Sequence, residues 1–93
     1  MDFEWDETKA RVNLAKHQID FVDALGVFFD SFRLETLDDR QDYQETRFKV
    51  IGQVNELTLV VIYTERGENF RLISARRANR RERKTYENRK TSS

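Results

Sequence analysis

Residues Leu57-Thr58-Leu59-Val60-Val61-Ile62-Tyr63 form a near-continuous apolar run. Such a run is what a central strand covered on both faces shows. A chain that contains it must supply sheet neighbours on either side. Arg47 to Gln53 is the first candidate, rich in β-branched and aromatic residues, with Gly52 near its end. Phe70 to Ala75 is the second, reached through a turn at Gly67. The short spacings between these three predict an antiparallel meander with tight connections. Arg33 to Leu37 reads as a further, weaker strand, and Phe3-Glu4-Trp5 alternates as a short edge strand does.

Helices are expected on either side of this meander. Asp6 is placed to cap a helix from about Glu7 to Lys16, because a short acidic side chain accepts from the free N–H groups of a first turn. Its inward positions are read as Ala10 and Leu14, with Val12 or Ala15. Asp20 opens a second helix, with Asp23 favouring its N-terminal dipole. Phe21, Ala24, Leu25 and Phe28 recur there at helical spacing. Asn79-Arg80-Arg81-Glu82 fits a capping box that starts a last helix, which is expected to fray from about Lys90. The order is strand, two helices, three or four strands, helix. With no Pro and only three Gly among 93 residues, no linker divides the chain, so residues 1–93 read as one domain.

Composition excludes several chemistries. There is no Cys, so disulfides and thiolate nucleophiles are out. A lone His, His17, argues against a metal cage while leaving carboxylate sites open, and no Gly-rich phosphate loop or Ser-His-Asp order is present. No stretch approaches the roughly 20 apolar residues of a membrane helix, and the acidic start is unlike a signal peptide. A cytoplasmic protein without cofactor or membrane partner is expected.

The formal net charge of zero hides a division. Residues 1–46 carry 5 basic and 12 acidic side chains, and residues 47–93 carry 12 basic and 5 acidic. Charge asymmetry between halves points to an anion-seeking face. Arg76, Arg77, Arg80 and Arg81 crowd the start of the last helix, where cations oppose the macrodipole unless an anion arrives. Arg71 and Arg47 project from strands and are expected to converge with them on one concave patch suited to phosphate. The plain alternatives are a solvated charged helix and, for Arg47, an edge-strand charge. Lys16 and His17 complement a helix C-terminus, and His17 is also suited to proton transfer near neutral pH. Tyr86 reads as half-buried packing or as a platform for a base. Asp38-Asp39 reads as turn or loop surface. The acidic N-terminal helices are expected to cover the sheet on the side opposite Arg76 and Arg77.

Several segments together resemble the BrnT family of type II toxins: Phe3-Glu4-Trp5-Asp6, Lys9-Ala10, Asn13, Lys16-His17, Asp20-Phe21 and Ala24. Arg47, Tyr63-Thr64-Glu65-Arg66-Gly67, Arg71 to Ala78, Glu82-Arg83 and Tyr86-Glu87 extend the pattern over nearly the whole chain. Gln18 departs from it, since the family usually has Gly after Lys-His. The resemblance implies an α+β fold, a RelE-like antiparallel sheet of three to five strands flanked by two N-terminal helices and one C-terminal helix. It implies a metal-independent endoribonuclease that inhibits translation through attack of the ribose 2′-OH on the phosphodiester. Arg47, Arg71, Arg76 and Arg77 would bind phosphate, His17 or Lys16 would move protons, and Arg66, Arg80, Arg81 and Tyr86 would contact RNA. It further implies a BrnA-type antitoxin with a ribbon-helix-helix part, binding DNA as the complex and forming a heterotetramer or similar assembly. A non-catalytic nucleic-acid-binding or protein-interaction module is the alternative reading.

Overall fold

A computed structural model describes residues 2–38 and 45–92. Five strands, β1 (Phe3–Glu4), β2 (Leu34–Leu37), β3 (Arg47–Val54), β4 (Leu57–Arg66) and β5 (Asn69–Arg77), form one sheet in the order β1-β5-β4-β3-β2. The meander is as the apolar run requires: β4 is central, antiparallel to both β3 and β5, and buried from Leu59 to Thr64. The sheet is mixed rather than antiparallel throughout, because β1 pairs in parallel with β5 through Phe3–Phe70 and Glu4–Arg71.

Helix α1 (Glu7–His17) starts where expected, with Asp6 Oδ1 accepting from the Lys9 N–H at 3.0 Å. It ends on Gln18 in the left-handed region, φ 61°, whose N–H donates to the Leu14 carbonyl. Its inward face is only in part the expected one, with Ala10 packed against the core. Leu14 and Val12 are exposed, and Asn13 is buried. The outer edge of β5 explains this. β1 is only two residues long, and Asn13 takes the next stretch of edge. Its Nδ2 donates to the Ala75 carbonyl at 2.8 Å and its Oδ1 accepts from the Ala75 N–H at 3.0 Å. The side-chain amide replaces a strand there, and buried backbone groups must find such partners.

The second helix is a single α turn, α2 (Phe21–Ala24), continuing as a 3₁₀ turn over Leu25–Phe29. Asp20 caps it at Val22, and Phe21, Ala24 and Val27 are buried against one face of the sheet. Gly52 permits the close approach: a Cβ there would lie 2.9 Å from Val27 Cβ and 3.1 Å from its carbonyl oxygen. Phe3, Phe28, Phe48, Tyr63 and Phe70 complete this layer with rings 4.7–6.0 Å apart, a spacing at which tilted and edge-on aromatic pairs attract.

The other face carries a smaller core of Ile51, Val60, Ile62, Ala78 and Tyr86 under α3 (Arg80–Ser92). The capping box forms in both directions, Glu82 N–H to Asn79 Oδ1 and Asn79 N–H to Glu82 Oε1, each 2.8 Å. The helix runs through Ser92, and Lys90 Nζ lies 3.3 Å from Gln53 Oε1. Asp38, expected at the surface, is buried, with its N–H bonded to the Arg47 carbonyl. Asp39 lies outside the described residues. No described helix is long and apolar enough to cross a membrane.

Candidate active site

Strand register decides which basic side chains meet. Arg47, Thr64 and Arg71 are direct cross-strand neighbours on β3, β4 and β5. Lys49, Ile62 and Ser74 form the next row, and Ile51, Val60 and Arg76 the third. Side chains directly opposite one another share a face. Arg47, Lys49, Arg71 and Arg76 therefore stand on the α3 face, each with 19–27% of its side chain exposed.

A β-bulge produces this convergence. Arg76 lies five positions after Arg71, and regular alternation would put them on opposite faces. Tyr63 pairs with Leu72 but Ile62 pairs with Ser74, so the register shifts by one residue at Ile73. An extra residue re-aims every side chain beyond it. Arg76 joins Arg71, and Arg77 is turned away. Arg77 pairs across from Leu59 on the face packed by α2 and the 3₁₀ turn. The expectation that Arg76 and Arg77 lie together, opposite the N-terminal helices, is corrected: adjacent strand residues point to opposite faces, and Arg77 points toward those helices.

Carboxylates fix the four cations. Glu82 receives Arg76 in a fork, Nη1 to Oε1 at 2.8 Å and Nη2 to Oε2 at 2.9 Å, and Lys49 Nζ lies 2.8 Å from Oε2. Arg71 Nη1 donates to Glu4 Oε2 at 2.9 Å. Arg47 and Arg66 flank Glu45 at 3.5 and 3.8 Å. The Arg76 fork holds the Glu82 carboxyl far below its ordinary range; burial opposes this, and Lys49 and the Asn79 N–H reinforce it. Glu82 thus stays ionised and is a poor proton acceptor. Its chemistry is to orient Arg76 and Lys49. A guanidinium has five N–H donors, so Arg71 and Arg76 keep N–H groups for an incoming phosphate beyond those given to Glu4, Glu82 and the Arg77 carbonyl.

Lys49 was missed by the sequence reading, although the two-residue period from Arg47 marks it. His17 is half-buried at the end of α1 and borders a hollow of about 260 Å³ with Ser74 and Lys16. Burial, with help from Lys16 and Arg76, lowers the imidazole pKa below its ordinary value, so at neutral pH the ring is neutral and able to accept a proton. Lys16 is exposed beside it. Arg66, Arg80 and Arg81 are exposed around the face, Arg66 at the hairpin and the other two in the first turn of α3. Tyr86 does not offer its ring. It is 1% exposed and donates its hydroxyl to Asp30. Burial raises the Asp30 carboxyl, but hydrogen bonds from Tyr86, Phe32 and Gln53 outweigh it and leave the pKa lowered. Among the described residues no three His, Asp or Glu side chains are grouped as metal ligands.

The sequence model of one protein family, described as the ribonuclease toxin BrnT of type II toxin-antitoxin systems, matches residues 5–82. No curated protein matches the chain.

Proposed function

This chain belongs to the BrnT family of ribonuclease toxins of type II toxin-antitoxin systems, and from that premise we propose that it is a metal-independent endoribonuclease acting in the cytoplasm. The observation that carries the proposal is the convergence of Arg47, Lys49, Arg71 and Arg76 on one sheet face. In the reaction the ribose 2′-oxygen bonds to phosphorus, the bond to the 5′ oxygen breaks, and the products carry a 2′,3′-cyclic phosphate and a 5′-hydroxyl. The arginines and Lys49 stabilise charge on the pentavalent transition state, which preorganised donors do without reorganisation. His17, neutral and beside the basic face, takes the 2′-OH proton, and Lys16 or water returns one to the 5′ oxygen. A BrnA-type antitoxin with a ribbon-helix-helix part neutralises the toxin, and the complex, a heterotetramer or similar assembly, binds DNA.

The test is 5′-end mapping of RNA after expression of the chain, and incubation of the purified protein with RNA in EDTA. New 5′-hydroxyl ends that form in EDTA are expected. Intact RNA, or 5′-phosphate ends that need a divalent ion, would sink the proposal. A non-catalytic RNA-binding module is the second reading, favoured by the engagement of Arg76 and Lys49 with Glu82. It gives salt-sensitive binding without cleavage.

A further inference from the structure

The face of the sheet opposite the basic site carries an open groove of about 560 Å³, between α2, the 3₁₀ turn and the β3–β4 hairpin. Its lip is apolar and exposed: Phe29 is 80%, Val22 61% and Leu57 41% accessible. Val22 also lines a neighbouring hollow with Leu14, itself 46% exposed. The two hollows meet at Val22 and Asp20, so exposed apolar side chains border both. Single exposed apolar residues are ordinary, but a contiguous patch around a concavity marks an interaction site.

Charge narrows the occupant. Arg77 lines the groove, and among the described residues no carboxylate lies within ion-pair distance of it. Asp23 stands at the same groove, and among the described residues it too has no ion-pair partner. Asp20 is already committed to capping Val22. The groove thus offers apolar pockets, one cation in Arg77, and two carboxylates, of which Asp20 is turned to the helix cap and Asp23 is not. It lies against side chains and helices, so a partner enters by side-chain insertion rather than by adding a strand. An amphipathic helix meets these terms, with apolar anchors at i, i+3 or i+4 and i+7 and flanking charges.

We propose that this groove is the docking site for the antitoxin, which inserts an amphipathic helix carrying an acidic residue for Arg77. The proposal rests on the family assignment, which supplies a protein antitoxin as the partner of this toxin. It places the high-affinity contact on the face away from Arg71 and Arg76, so neutralisation and catalysis use separable surfaces.

The experiment uses the full-length toxin and its cognate antitoxin, co-expressed and purified. Phe29→Ser and Val22→Ser change exposed side chains and are expected to leave the fold and RNA cleavage unaltered. Loss of an aromatic anchor is expected to weaken antitoxin binding by at least about 30-fold, so the variants stay toxic in cells that express the antitoxin. Arg77→Glu is expected to weaken binding as well, with the loss shrinking at high salt. Unchanged antitoxin affinity in both Ser variants would overturn the proposal. So would a dimer of the isolated toxin that Phe29→Ser dissolves, or loss of RNA binding in that variant. Cleavage by the unmodified toxin is measured alongside. If that is absent while the Ser variants lose antitoxin binding, the enzyme assignment fails and the docking site stands.

Discussion

Glu82 is 7% exposed and accepts from Arg76, Lys49 and the Asn79 N–H at once. It therefore links the cap of α3 to the basic face. Its carboxyl is held below its ordinary pKa of 4.5, and a depressed folded value means stability that is present above the unfolded pKa and is lost as pH falls through the folded one. Denaturant midpoints compared at pH 7 and pH 3 should show this loss, and Glu82→Gln should reduce it. At pH 7 that variant should cost about 1–3 kcal/mol, between a surface pair and a fully buried one. An unchanged pH response would remove Glu82 as the source. Asn13 carries comparable weight. Asn13→Ala leaves the Ala75 N–H and C=O without partners at a buried edge, a cost of about 2–4 kcal/mol. Thermal unfolding reads the loss, and a variant as stable as the parent would mean that water replaces the amide.

Elements are joined at few points. The 3₁₀ turn rests on β3 through Gly52, where an added methyl meets the Val27 backbone at 3.1–3.2 Å. Gly52→Ala should destabilise by about 1–3 kcal/mol, because neither strand nor turn is a flexible side chain that can give way. The same change on the open turn at Gly67, where a Cβ meets nothing within 4 Å, is limited by its positive φ alone and should cost less. Equilibrium unfolding of the two variants compares these costs directly. Helix α3 is fastened at three places, by Glu82 at its start, Tyr86 to Asp30 in its middle, and Lys90 to Gln53 near its end.

For the whole molecule the basic face should act as a unit. Affinity for single-stranded RNA should fall steeply with salt, and Arg71→Ala should lower the log–log slope by about 0.7, one phosphate contact. If Arg71 or Arg76 stabilises the transition state, its loss should slow cleavage by about 10²–10³-fold. Single-turnover kinetics at saturating protein separates that from weakened binding. A variant with a normal slope and a normal rate would place Arg71 with Glu4 as a structural pair only.

How much of this was legible depends on the range of the interaction. The caps at Asp6, Asp20 and Asn79, the buried run of β4 and the division of charge are local signals, because turn chemistry and side-chain period act within a few residues. The sequence alone therefore determined the element order and the presence of a basic half. The amphipathic reading of α1 held at Ala10 but failed at Leu14 and Val12, since the helix answers to an unpaired strand edge far along the chain as well as to its own apolar stripe. Tyr86 was drawn into the core by Asp30, 56 residues before it. The tertiary structure alone decided which arginines share a face. One extra residue at Ile73, with no local mark, shifts the β4–β5 register, brings Arg76 to Arg71 and turns Arg77 to the other side, because strand alternation makes facing a matter of parity.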